Sequence, residues 1–115
     1  MDETSQIRKV FLYKGYFSDF FVKQDQKVRD KIYWTLRLIE TIQHVPKEYL
    51  KHLEGTSGLY EIRVSHGSDI FRIFCFFDEG KLIVLANGFQ KKSRTTPSNE
   101  IQKALKIKKE YEDKK

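Results

Sequence analysis

Leu59-Tyr60-Glu61-Ile62-Arg63-Val64-Ser65, then His66-Gly67-Ser68-Asp69, then Ile70-Phe71-Arg72-Ile73-Phe74-Cys75-Phe76-Phe77 is the stretch whose reading decides the fold. Side chains alternate along a strand, so Tyr60, Ile62 and Val64 share one side while Glu61, Arg63 and Ser65 share the other. The second run is apolar on both faces except at Arg72. A charge in so apolar a strand is costly unless it is paired or reaches water. A type II′ turn takes glycine first, so Gly67-Ser68 as a two-residue turn sets Arg63 opposite Arg72. If Glu79-Gly80 form the next turn, Asn87 faces Arg72 from the other side, and the three polar residues make one row across three strands. Like charges directly opposite in a sheet repel, and a phosphate gripped by two guanidinium forks would relieve that repulsion. The structural alternative pairs Arg63 with Glu61 and satisfies Arg72 on backbone carbonyls.

Downstream, Lys81 to Asn87 reads as the third strand of a meander. The chain then leaves through Gly88-Phe89-Gln90-Lys91-Lys92-Ser93-Arg94-Thr95-Thr96-Pro97. An aromatic ring beside Lys91, Lys92 and Arg94 suits single-stranded RNA, because bases stack on rings while cations hold the backbone. Taken alone, a phenylalanine such as Phe89 is more often a core residue, and a charge run is usually a solvated loop. Thr96 as N-cap, Pro97 at the first helical position and Glu100 in the first turn open a helix with Ile101, Ala104, Leu105 and Tyr111 along one face.

Upstream, Val10 to Tyr13 reads as a first strand, and Ser18 or Asp25 as a helix cap. Phe21, Val28, Ile32, Leu36, Ile39 and Ile42 recur at helical spacing, which predicts a long amphipathic helix bent or broken near Gln24. Pro46 is expected to open a second short helix through about Leu53, ended by Gly55 and Gly58. The order is strand, helices, three strands, helix: an α+β fold, read as one domain over residues 1–115, without repeats or a linker. Frayed ends are expected at Met1 to Gln6 and around Asp113 to Lys115.

The formal charge is +6, and it is uneven. Met1 to Asn87 carry 13 Lys and Arg against 12 Asp and Glu, whereas Gly88 to Lys115 carry 9 against 4. So concentrated a basic field attracts phosphate or an acidic partner. Cys75, the single cysteine, excludes an internal disulfide and a thiolate metal cluster, and its apolar surroundings suit an inert buried thiol. His44, His52 and His66 lack zinc-type spacing, and no glycine-rich phosphate loop or serine nucleophile motif is present, so no metal and no cofactor is expected. Met1-Asp2-Glu3-Thr4 does not read as a signal peptide, and no apolar run approaches the roughly 20 residues of a membrane span, so a cytoplasmic protein without a membrane partner is expected.

Leu53-Glu54-Gly55-Thr56-Ser57-Gly58-Leu59-Tyr60-Glu61-Ile62-Arg63, Phe71-Arg72-Ile73-Phe74 and Gly88-Phe89-Gln90-Lys91-Lys92-Ser93 with Thr96-Pro97 together resemble the phage-derived branch of the HigB-like toxins in the RelE/ParE superfamily. The resemblance runs from about Val10 to Tyr111. It implies an antiparallel sheet of about four strands packed against N-terminal helices, with a C-terminal helix, in the order β-α-α-β-β-β-α. It further implies a toxin of a type II toxin-antitoxin system, a ribosome-dependent endoribonuclease that cleaves messenger RNA in the A site without metal. A helix-turn-helix antitoxin would silence it.

In that chemistry the 2′-hydroxyl attacks the neighbouring phosphate, which requires stabilisation of the phosphorane charge, a proton acceptor and a proton donor. Arg63 and Arg72 match the family's sheet arginines as transition-state clamps, and Lys91 and Lys92 match its basic pair as phosphate ligands or proton shuttles. Phe89 is the stacking candidate, and Asn87, Arg94, Tyr60 and His66 complete the candidate RNA contacts. The general base stays open among Glu61, His66 and a lysine. Many relatives carry Leu-His before Gly-Phe where this chain has Ala86-Asn87, which bears on catalysis more than on binding. Two other readings are a non-catalytic toxin of the ParE kind, which inhibits DNA gyrase, and an RNA-binding accessory protein without nuclease activity.

Overall fold

A five-stranded mixed sheet runs through the molecule with helices on both sides, as seen in a computed structural model that describes residues 6–115. The elements in chain order are β1 (Lys9–Leu12), α1 (Tyr16–Phe21), α2 (Gln26–Thr41), β2 (Leu50–His52), β3 (Leu59–His66), β4 (Asp69–Asp78), β5 (Leu82–Lys91) and α3 (Ser98–Asp113). Their spatial order is β1-β5-β4-β3-β2. The expected α+β class and element order hold, with two refinements to the sheet. β1 lies parallel to β5, so the sheet is mixed rather than wholly antiparallel. The stretch after Pro46 is a turn, with the N–H groups of Tyr49 and Leu50 both bonded to the Pro46 carbonyl, and it leads into edge strand β2 instead of a helix. Leu50 there sits opposite Ile62 and joins the core, a tertiary pairing that three residues cannot announce.

The expected long helix is broken near Gln24 into α1 and α2. Asp25 caps α2 by accepting a hydrogen bond from the Val28 N–H at 3.1 Å. Phe17 and Phe20 of α1, with Val28, Ile32 and Ile39 of α2, bury one side of the sheet against Ile62, Val64, Phe71, Ile73, Ile83 and Leu85. On the other side Ala104 and Ile107 of α3 meet Leu59, Phe74, Phe76, Val84, Ala86 and Phe89. The helix begins at Ser98 with Pro97 in the cap position, one residue later than the Thr96 cap predicts. Cys75 is wholly buried, and burial raises its thiol pKa, which keeps it protonated.

Gly67, at φ +61, begins the two-residue turn between β3 and β4, and Arg63 pairs with Arg72 as expected. The β4–β5 register departs from expectation. Three residues, Glu79 to Lys81, close that hairpin, with Glu79 at φ 50 and Gly80 at φ 79. A bulge then sets Ala86 and Asn87 together opposite Phe74. The two shifts place Phe89, not Asn87, opposite Arg72.

The C-terminal end of α3 is tied down. Asp78 accepts a hydrogen bond from the Tyr111 hydroxyl at 2.6 Å and another from Lys115 at 2.6 Å, so the C-terminus is held where fraying is expected from sequence. Glu110 accepts from Lys14 and from the Tyr16 hydroxyl. The expected fraying at Met1 to Gln6 falls, for residues 1–5, outside the described residues.

Two outcomes follow from this packing. A Cβ at Gly88 would lie 2.5 Å from the Phe20 ring, so Gly88→Ala should destabilise the fold by about 1–3 kcal/mol in urea denaturation, and Phe20→Leu should recover part of the loss. Lys115 and Tyr111 lower the Asp78 pKa, and Lys14 and Tyr16 lower that of Glu110, from ordinary values of 3.8 and 4.5. Their stabilisation is complete above those ordinary values and is lost as pH falls through the lowered ones. The Tyr111 phenol, raised to about 12 by its bond to Asp78, contributes below its ordinary 10.0 and loses that contribution as pH climbs towards 12. The thermal midpoint should therefore drop as pH falls from about 5 to about 3, and Asp78→Asn should flatten the drop.

Candidate functional site

Strand alternation puts Glu61, Arg63, Arg72, Phe74 and Phe89 on the side of the sheet that α3 packs against. The helix does not cover all of it. Leu59, Phe74, Phe76, Val84 and Ala86 lie under α3, while the rows Arg63, Arg72, Phe89 and then Ser65, Ile70, Lys91 continue beyond them. Ser65 and Ile70 are exposed there, so this end of the face opens to water.

The two arginines share that face as the register requires, and Glu61 holds them. Its Oε1 lies 3.1 Å from Arg72 Nε and 3.3 Å from Arg63 Nε. Neither Nε–H is aligned with a partner, so each contact is an ion pair by distance and not a directed hydrogen bond. Arg72 is 6% exposed and also donates from Nη1 to the Phe71 carbonyl at 3.1 Å. Burial, and next to it the charge of Arg63, lowers the Arg72 pKa. The guanidinium keeps its proton nonetheless, so this lowering measures the cost of placing it there. Arg63 is more open, at 31% side-chain exposure, and reaches the Lys47 carbonyl only at 3.5 Å. The like charges are thus relieved by a carboxylate of the chain itself, where the sequence row suggested an external anion. Two guanidiniums and one carboxylate leave a net positive cluster.

The other sequence candidates divide. Lys91 lies on the same face one row beyond Arg72, across from Ile70. Lys92 and Arg94 are exposed on the exit segment, and with Ser68, Asp69, Gln90 and Lys91 they border a depression of about 530 Å³. Phe89 shares the arginine row, but its ring is 8% exposed and packs on Phe74 at 5.4 Å between centroids, so it presents no open face to a base. Asn87 is displaced into the bulge, where its Nδ2 donates to the Glu100 carbonyl at 3.2 Å and to Glu100 Oε1 at 2.9 Å. It pins β5 to α3 and does not point at the arginines. Tyr60 stands on the opposite side of the sheet, edge-on to His52 and Phe77. His66 is exposed beside the Gly67 turn.

One residue was missed from sequence. Lys51, exposed on β2, lies opposite Glu61 and so on the arginine side. Reading Lys51 as helical hid this, and only the β2 pairing reveals it. Among the described residues no group of three or more His, Cys, Asp or Glu side chains could hold a metal ion, and no helix is long and apolar enough to cross a membrane.

With this geometry in view, the chain was compared with known families. The model of the phage derived protein Gp49-like family (DUF891) matches residues 19–109. The chain belongs to the Gp49-like family. That family sits within the RelE/HigB-like toxin superfamily and is associated with toxin-antitoxin systems. A comparison with curated proteins gives no match. The matched span of this Gp49-like chain contains α2, β2 to β5 and most of α3, and therefore both arginines and the lysine-rich exit.

The electrostatic arrangement has a measurable consequence. Glu61→Gln keeps the shape but leaves Arg72 buried beside a second cation, and should destabilise the fold by about 3 kcal/mol in urea denaturation. A variant as stable as the parent would mean that Glu61 does not hold the pair.

Proposed function

We propose that this Gp49-like chain is the toxin of a toxin-antitoxin pair and a ribosome-dependent endoribonuclease of the HigB kind, acting on messenger RNA. The observation that carries the reading is the side-by-side placement of Arg63 and Arg72 at the end of the sheet that α3 leaves open, with Lys91 in the next row. A phosphodiester entering there meets the open guanidinium of Arg63 first, competes with Glu61 for the pair, and has Lys91, Lys92 and Arg94 along its flank.

The proposed reaction moves no electrons to a cofactor. The 2′-oxygen bonds to phosphorus, the bond from phosphorus to the 5′-oxygen breaks, and the products are a 2′,3′-cyclic phosphate and a 5′-hydroxyl. The 5′-oxygen takes its proton from a lysine at the rim, Lys91 or Lys92, and the 2′-hydroxyl gives its proton to one of the acceptors open from sequence, Glu61, His66 or a neutral lysine. The arginine pair supplies charge stabilisation to the phosphorane. An antitoxin is the partner of the free protein, and the helix-turn-helix form expected from sequence belongs to this proposal.

A second reading, RNA binding without cleavage, draws on two particulars. Glu61 already offsets one of the two guanidiniums, and Asn87, at the place where many relatives carry histidine, is committed to Glu100. Purified protein added to programmed ribosomes separates the two readings. Messenger 5′ ends mapping to the A site are expected, with Arg63→Ala, a half-open position that can be truncated without emptying the core, slowing cleavage by about 10²- to 10³-fold. Intact messenger that nonetheless co-sediments with the protein would select binding alone. Intact messenger with altered DNA supercoiling would select gyrase inhibition.

A further inference from the structure

Tyr60, placed by the register on the side away from the arginines, belongs to a different basic feature. A cleft of about 380 Å³ opens between the segment after α2 and the strands β2, β3 and β4. Its lining includes Arg8, His44, Lys47, Lys51, His52 and Tyr60, and none of the ten lining residues is acidic. The guanidinium of Arg8 donates to the carbonyls of Ile39, Ile42 and Gln43 at 3.0, 2.8 and 2.8 Å. That fixes a positive charge at the C-terminus of α2, where the helix dipole favours it. His44, Lys47 and His52 are exposed and supply mobile donors. His52 stands edge-on to Tyr60 at 5.2 Å, and Tyr60 edge-on to Phe77 at 5.1 Å, so the far wall is a set of ordered rings.

A site with fixed positive charge, imidazole and ammonium donors, ring walls and no carboxylate among its described lining residues suits backbone phosphates. We propose that this cleft is a second phosphodiester-binding site that grips RNA on the opposite side of the sheet from Arg63 and Arg72. The inference deepens the RNA-directed reading and rests on it. Edge strand β2 joins the two sites, since Lys51 and His52 project to opposite sides of the sheet. A strand held at the arginines and a second RNA segment held in the cleft would together clasp the β2 edge, which gives binding to folded RNA an avidity that a single strand lacks.

The test is fluorescence anisotropy of the full chain with a labelled RNA hairpin across a salt series. Lys47→Ala with His52→Ala should weaken hairpin binding by roughly 5- to 10-fold near 0.1 M salt and reduce the slope of log K against log salt by about one. Both side chains are exposed, so the thermal midpoint should stay put. Arg63→Ala alone should weaken binding too, and the losses should add. If Arg63→Ala weakens binding while the cleft variant does not, the cleft proposal falls and the sheet-face reading stands. If neither variant changes binding, or the parent chain does not bind the hairpin, both fall. A polyglutamate peptide that binds through Lys47 and His52 while RNA binding is indifferent to them would overturn the proposal in favour of an acidic protein partner.

Discussion

Two guanidinium groups are forced together by the shortest turn in the molecule. Gly67 and Ser68 leave β3 and β4 no freedom of register, and a slip by one residue would carry Ile62, Val64, Phe71 and Ile73 out of the core. The apolar pattern therefore holds Arg63 against Arg72 whatever the electrostatic cost. Glu61, one pleat away on the same face, makes that arrangement tolerable in the free protein by presenting one oxygen to both arginines. Core burial and surface chemistry are coupled here, because the residues that fix the register also fix the charge cluster.

The boundary between covered and open sheet is set by α3. Asp78, Tyr111 and Lys115 secure one end of that helix, and Asn87 with Glu100 secures the other. The bulge at Ala86 and Asn87 is what turns the Asn87 amide towards the helix. It also keeps Phe89 on the α3 side, where its ring closes the apolar layer against Phe74 just before the face becomes polar. The arginine row thus has a hydrophobic wall on one side and water on the other, a setting in which charge acts more strongly on a phosphate than it would on a fully wet surface.

Charge asymmetry gives the molecule its direction. The last quarter of the chain carries most of the excess positive charge, and the exit segment from Lys91 to Arg94 brings part of it to the open end of the sheet. The Gp49-like family places this scaffold among toxins of toxin-antitoxin systems. Within that scaffold Glu61 sits between the two arginines and Asn87 at the bulge is committed to Glu100, so the charge of the open face and the join of β5 to α3 are both settled by internal partners.

The element order, the α+β class and the β3–β4 register were legible because each rests on local chemistry: period-two and period-3.6 patterns, an aspartate cap, and a glycine that accepts positive φ. Arg63 opposite Arg72 follows from those alone. The β2 strand was not legible, since three residues gain their conformation only from pairing with β3. The parallel alignment of β1 with β5 was equally beyond reach, because it joins segments about seventy residues apart in sequence. Asn87 and Phe89 exchanged their expected places because a three-residue loop and a bulge each moved the register by one, and bulges answer to packing against α3 rather than to the strand's own sequence. Sequence by itself determined which side chains share a strand face; only the folded chain decided which of them remain in contact with water, because exposure depends on where a distant helix ends.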